Sequence, residues 1–289
     1  MTIRSRTATL IIAALAALTG LQAQAAEGTL DKIARTGEFV IGYRADASPL
    51  SYENARGAPS GYSVDICQRI AASVNAHFPD QDIKTRFEKI TAGERISAVV
   101  DGRVDIECGS TTITLSRKEV VDFSLPTFVT GGSVMSLKST GIQSMSDLAG
   151  KKIGVAQGTT TVEQLRMYLD DNLIDAEIVI VENREVGKRQ LDRGDIDALA
   201  SDQIVLIGQI IESVNPQNYA LNDEIFSFEP YGLALRRNDA DFRLVVNRSI
   251  AQLYRSGANA DIFYKWIGRI GIDVPPVLAA MYQLNSIPE

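Results

Sequence analysis

The stretch Ile106–Ser124, IECGSTTITLSRKEVVDFS, decides how the rest of the chain is read. From Val104 to Cys108, apolar residues alternate with the acids Asp105 and Glu107, which predicts a short strand. It runs into Gly109-Ser110-Thr111-Thr112, and a short helical stretch begins near Ser116-Arg117-Lys118-Glu119. A glycine and three small hydroxyl residues at the carboxyl end of a strand free N–H groups and hydroxyls for a ligand. Arg117 lies five residues past the last threonine, where a planar guanidinium suits bidentate capture of a carboxylate. The pattern predicts a site for a small anion. A plain strand–turn–helix junction with a surface arginine has the same local sequence, so the choice falls to the rest of the chain.

The first residues read as an export signal. Arg4 and Arg6 precede the apolar run Ala8–Leu21, and Ala23-Gln24-Ala25 has the small-residue spacing of a cleavage site, so residues 1–25 are expected to be removed. The run is short for a membrane span and no cysteine stands near the cleavage point, which argues against a membrane or lipid anchor. No later segment has 18 uninterrupted apolar residues, so a soluble, exported protein of the periplasm is expected. About 264 residues remain, enough for two domains. Removal of two arginines moves the formal charge from −7 to −9, since 27 basic residues then face 36 acidic ones. Such a charge disfavours nucleic acid and anionic membrane surfaces as partners. Cys67 and Cys108 both remain, on an expected helix face and an expected strand end. In an oxidising compartment, a disulfide and two buried thiols are both compatible with those positions. The lone His77 lies in a polar stretch before Pro79 and gives no support for a metal or other cofactor.

Along the chain, apolar runs predict strands at Glu38–Tyr43 and Thr85–Ile90, with helices at about Leu30–Arg35, Tyr62–Asn75 and Glu94–Asp101. Arg44 follows the first strand and Arg95 opens the last of these helices, both at strand ends where open α/β sheets place ligands. After Pro126 and Gly131-Gly132 the pattern restarts. Asp147–Lys152 is a helix and turn, Ile153–Ala156 a strand, and Gly158-Thr159-Thr160-Thr161 a second glycine–hydroxyl corner leading into a helix through about Leu169. Free N–H groups and the helix dipole at such a corner favour an anion. Further strands are predicted at Ser133–Leu137, Ile178–Val181, Ile196–Ala200 and Tyr231–Leu235. The remaining helices fall at Glu185–Asp192, Gln203–Ser213, Ala240–Ser256 and Asn259–Gly268, and the end after Pro275-Pro276 reads as a surface wrap. Asp202 ends a strand as an N-cap for the next helix or as a carboxylate for a ligand ammonium. The absence of long linkers predicts interleaved domains: 27–128 with 229–289 as one lobe and 129–228 as the other.

The chain resembles bacterial periplasmic solute-binding proteins of the polar amino acid type, family 3, and among them the glutamate/aspartate-binding branch. The resemblance rests on GYSVDICQRIA at Gly61–Ala71, on ECGSTT at Glu107–Thr112 with Arg117 and Asp122-Phe123-Ser124, and on DLAGKKIGVAQGTT at Asp147–Thr160. It implies a type II periplasmic binding protein fold, with two α/β lobes of mostly parallel sheets joined by two crossing segments. It also implies a monomer that closes on L-glutamate or L-aspartate and delivers it to an inner-membrane ABC permease. On that resemblance Arg117, Thr112 and the Thr159–Thr160 corner hold the α-carboxylate. Asp202 and Ser110 receive the ammonium, and Arg44 and Arg95 take the side-chain carboxylate. The sequence departs from the branch at Ala92, which loses a hydroxyl where a serine is common, and at Asn183, which aligns with a histidine and is expected to keep a neutral donor for the ligand. The alternatives are another polar amino acid such as glutamine or asparagine, and an exported cyclohexadienyl-dehydratase-like enzyme, for which no general acid or base beyond Asp202 stands out. A signalling role through a membrane receptor would carry the same sequence.

Overall fold

The structure, a computed structural model, describes residues 27–289, so the expected signal segment lies outside the described residues. In chain order, α1 is Thr29–Thr36, β1 Glu38–Tyr43, β2 Asp46–Ala47, β3 Ser51–Glu53, β4 Pro59–Ser60, α2 Tyr62–His77 and β5 Lys84–Lys89. Next come α3 Arg95–Val100, β6 Ile106–Cys108, α4 Leu115–Lys118, β7 Val121–Phe123, β8 Phe128–Thr130, β9 Gly132–Leu137 and β10 Lys152–Ala156. Then follow α5 Thr161–Asp171, β11 Glu177–Val181, α6 Arg184–Arg193, β12 Ala198–Asp202, α7 Gln203–Ile211, β13 Tyr219–Leu221 and β14 Glu229–Tyr231. The chain ends with β15 Ala234–Arg236, α8 Ala240–Ser256, α9 Ala258–Trp266 and α10 Pro276–Leu284.

Two five-stranded sheets organise these elements, in the orders β5-β1-β6-β15-β7 and β11-β10-β12-β9-β13. In each, a central strand pairs in parallel on both sides: β1 with β5 and β6, β10 with β11 and β12. An antiparallel strand then extends the sheet, β15 beside β6 and β9 beside β12. Parallel strands buried on both faces need continuous apolar runs, which Phe39–Ile41 and Ile153–Val155 supply. The first core joins Phe39, Ile41 and Ile106 to Ile66 and Ile70 of α2 and to Phe242, Val246 and Ile250 of α8. The second packs Ile153, Val155 and Ala198 against Leu165 and Leu169 of α5. These are the two lobes of the α/β architecture that the sequence predicts. Between them, β8 and β14 pair antiparallel as a two-stranded ribbon, Glu229 opposite Thr130 and Tyr231 opposite Phe128.

Several boundaries differ from expectation. Tyr231–Leu235 is two strands, because Gly232 and Leu233 break between the ribbon and the first sheet. Val104 and Asp105 precede β6; the Asp105 carboxylate accepts the Val40 N–H at 2.8 Å and the Lys32 ammonium at 2.7 Å, fixing α1 to β1. The stretch after Pro275 is helix α10 and not an irregular wrap. Pro276 starts it, and Leu278, Met281 and Tyr282 bury one face at helical spacing. The short β13 has no strong apolar signal and forms by pairing with β9. Cys67 of α2 and Cys108 of β6 form a disulfide, with their Cα atoms 6.3 Å apart. Among the described residues no helix is long and apolar enough to cross a membrane.

Candidate functional site

The ECGSTT corner forms where β6 ends beside the β8–β14 ribbon. Gly109 is required there, since a Cβ would fall 2.1 Å from Oε1 of Glu107 and 2.9 Å from Cγ of Arg44. The Gly109 carbonyl accepts from Ser63 Oγ of α2 at 2.7 Å. Ile113 N–H donates to the Pro230 carbonyl at 2.8 Å, and Gly232 N–H to Thr111 at 3.1 Å, which lays the corner against the return crossing. Ser110, Thr111 and Thr112 are all buried, and the hydroxyls of Ser110 and Thr111 have no partner within the protein. Arg117 Nη1 donates to the Thr112 carbonyl at 2.8 Å, so the short helix α4 returns its guanidinium to the corner.

The second lobe meets this corner directly. Thr112 Oγ1 and Thr160 Oγ1 are 3.4 Å apart, and both donate to Oε2 of Glu229, at 2.5 and 3.0 Å. Ser227 donates to the other carboxylate oxygen at 2.7 Å. Thr159 turns back to the Ala156 carbonyl, so its hydroxyl stays within its own loop. Burial, and then the Asp202 charge, push the Glu229 carboxyl above its ordinary value, against the three hydroxyl donors. Arg95 Nη2 donates to the Gly158 carbonyl at 3.1 Å, and Ser48 Oγ to Glu212 Oε1 at 2.5 Å, both across the lobes.

Arg44 and Arg95 are buried side chains, 1% and 2% exposed, and each has Nε and Nη1 without a partner. Arg44 Nη2 pairs with Asp46 Oδ1 at 2.5 Å. Burial lowers both guanidinium pKa values to about 10; Arg184 and Arg95 lower Arg44 further against Asp46, and Arg117 lowers Arg95 further. Both remain cationic at neutral pH. Glu107 lies fully buried among these cations, its oxygens outside good hydrogen-bond geometry, and burial raises its carboxyl pKa against the pull of Arg95, the nearby Thr111 hydroxyl and Arg44. Burial alone would also raise Asp46, but Arg44 and Arg184 outweigh it and hold the carboxyl below its usual value.

Asp202 closes β12 and begins α7, yet its side chain makes no capping bond. Oδ2 accepts from Arg184 Nη2 at 3.1 Å, while the buried Oδ1 has no partner. Asn183 does not join these groups through its carbonyl: Oδ1 caps α6 by accepting from Val186 N–H at 2.9 Å. The residue that enters the cleft there is its neighbour, Arg184, 1% exposed, with Nη1 unpartnered. Sequence reading missed Arg184 and Glu229. Both read as ordinary charged residues at element starts, and only their packing marks them. Ala92, buried at 8% exposure, carries no hydroxyl into the site. Among the described residues no cluster suited to a metal ion occurs.

A ribbon-hinged pair of α/β lobes with buried, partly unpartnered guanidinium and carboxylate groups at their junction defines a binding protein for a small charged solute. The chain belongs to the bacterial extracellular solute-binding proteins, family 3, whose family model matches residues 39–269. It is the amino-acid-binding protein of an ABC transporter, is periplasmic, works with an ABC permease in amino-acid import and is not an enzyme. It is 33% identical over 250 residues to the L-glutamate/L-aspartate-binding protein of Pseudomonas aeruginosa, covering 86% of this chain and 82% of that one. It is 33% identical over 244 residues to a glutamate/aspartate import solute-binding protein of Salmonella typhimurium, covering 84% and 81%. A solved mutant of ArgBP from T. maritima superposes with a TM-score of 0.73 at 25% identity, over 83% of this chain and 99% of that one.

Proposed function

We propose that the protein binds L-glutamate and L-aspartate as a monomer and passes them to its permease. The observation that carries this reading is the set of buried polar atoms without partners. Arg44 and Arg95 each offer Nε and Nη1, Arg184 offers Nη1, and Asp202 Oδ1 accepts. Guanidinium forks match carboxylates, and the free aspartate oxygen matches an ammonium. In this reading Arg117 and the backbone N–H groups at Thr112 and Thr160 hold the α-carboxylate, since both threonine hydroxyls donate to Glu229, and Asp202 with Ser110 receives the ammonium. Arg44 and Arg95 take the side-chain carboxylate, and Thr159 and Asn183 shape the loops beside them. A neutral amide side chain, as in glutamine, would leave buried guanidinium donors without an anion, which is costly. The names of the two relatives point the same way.

The moving bodies are residues 27–128 with 229–289, and residues 129–228. Titration calorimetry on the mature protein is expected to show binding of glutamate and aspartate, weaker binding of glutamine, and no turnover of any of them. Tighter binding of arginine, lysine or a branched-chain amino acid than of glutamate would overturn the ligand assignment.

A further inference from the structure

Arg184 and Asp202 form an ion pair that the chain itself holds in place. Both are buried, at 1% and 3% exposure, and Nη2 lies 3.1 Å from Oδ2. Nε of Arg184 is fixed on Ser201 Oγ at 2.8 Å, its carbonyl accepts from Gln209 Nε2 at 3.0 Å, and its N–H donates to Asp46 Oδ2 at 3.3 Å. A buried carboxylate that waits for a ligand ammonium penalises any ligand lacking one, because its charge is left unpaired. Asp202 already has a cation. An ammonium would add a bond to Oδ1 but would not supply the countercharge. Arg184 Nη1 meanwhile adds a donor beside Arg44 and Arg95, whose guanidinium groups both feel its charge.

We infer that the cleft accepts four- and five-carbon dicarboxylates without an amino group, and that Arg184 is the residue that admits them. The inference rests on the dicarboxylate reading above. An unpaired buried charge reduces affinity by on the order of a hundredfold, and the Arg184–Asp202 pair removes that penalty.

The test compares L-glutamate with glutarate, and L-aspartate with succinate, by calorimetry on the mature protein at neutral pH. Wild-type protein is expected to bind each unaminated acid within about a hundredfold of its amino acid, the penalty that an unpaired charge would impose. Arg184→Gln should weaken glutarate by tenfold or more relative to glutamate, and Arg184→Lys should restore most of that loss. A wild-type ratio above a hundredfold, or an Arg184→Gln variant that weakens both ligands equally, overturns the inference. If the variant fails to fold, the wild-type ratio decides alone. Binding of glutarate without either amino acid would defeat the amino acid reading and keep this one, whereas binding of no dicarboxylate defeats both.

Discussion

Arg95 of the first lobe donates through Nη2 to the carbonyl oxygen of Gly158 in the second, at 3.1 Å. The contact joins a proposed ligand group to the glycine–threonine corner of the opposite lobe. Chain closure is tight here: a Cβ on Gly158 would lie 2.8 Å from Cα of Gly93, and Gly158 has φ +70°. A second close approach occurs at Gly208, where a Cβ would fall 2.2 Å from the Ser48 carbonyl oxygen. Interfaces this close have little room to deform, so added volume there is expected to part the two lobes.

Gly158→Ala is therefore expected to hold the lobes apart. Left-handed backbone costs an alanine about 1–2 kcal/mol, and the clash with Gly93 adds to it only in the closed form. Glutamate affinity should fall by about tenfold or more, which is about 1.4 kcal/mol. Solution scattering on saturated protein is the check. Glutamate should reduce the radius of gyration of the wild type more than that of the variant, and equal compaction would show that closure does not need this approach.

The arginines are expected to divide their labour. Arg117→Ala removes a clamp on the carboxylate common to all amino acids and should weaken glutamate and glutamine alike. Arg44→Ala or Arg95→Ala should weaken glutamate selectively, by about 2–5 kcal/mol for the loss of a buried charged partner. Calorimetric ratios of glutamate to glutamine decide it. Full retention of the glutamate preference in both of the latter variants would refute the division.

The disulfide ties α2 to the last residue of β6, immediately before Gly109 and Ser110. Closing a loop across 41 residues of separation is worth up to about 4 kcal/mol in the chain-entropy model. The Cys67→Ser/Cys108→Ser double variant should lose about 2–4 kcal/mol of stability in denaturant unfolding. Because the corner is also held by Ser63, Pro230 and Gly232, glutamate binding should survive below the new midpoint. Loss of binding in a folded double variant would show that the bridge positions the site as well as stabilising the lobe.

The sequence exposes most of the fold because each lobe is written in continuous apolar strands punctuated by glycine–hydroxyl corners. Ile106–Cys108 and Lys152–Ala156 are legible for that reason. Helix α10 is not, since its apolar face is short and follows two prolines that read as a stop. The candidate site is legible where a residue type suits a single chemistry: Arg44 and Arg95, read as carboxylate partners, are both buried with guanidinium nitrogens left unpartnered. Glu229 and Arg184 are silent: one is an acid on a crossing strand, the other a basic residue at a helix start. Their meaning comes from long-range packing, Glu229 against Thr112 and Thr160, Arg184 against Asp202. Asn183 shows the converse, a polar residue one position away whose local preference for capping takes its carbonyl oxygen.

Glu107 offers a test of the electrostatics beneath the site. Burial raises its carboxyl pKa in the native state, with Arg95, the Thr111 hydroxyl, Arg44 and Arg117 opposing but not cancelling the shift. A carboxyl that holds its proton more tightly when folded stabilises the fold at pH values below the ordinary glutamate range, about 4.3. That contribution is lost as pH rises through the raised native value, because the unfolded chain then releases the proton more readily than the native one. Glu107→Gln keeps the neutral shape and does not titrate. Over the rise from pH 4 toward neutrality, the wild-type melting temperature should therefore fall relative to that of the variant, whatever offset separates the two curves at the start. Measuring both proteins without ligand, in buffers of matched ionic strength, isolates this residue from Glu229 and Asp105, whose raised pKa values act in both. Parallel curves would mean that the three arginines and Thr111 hold Glu107 at its ordinary value, and a wild type that gained stability relative to the variant would mean that they depress it.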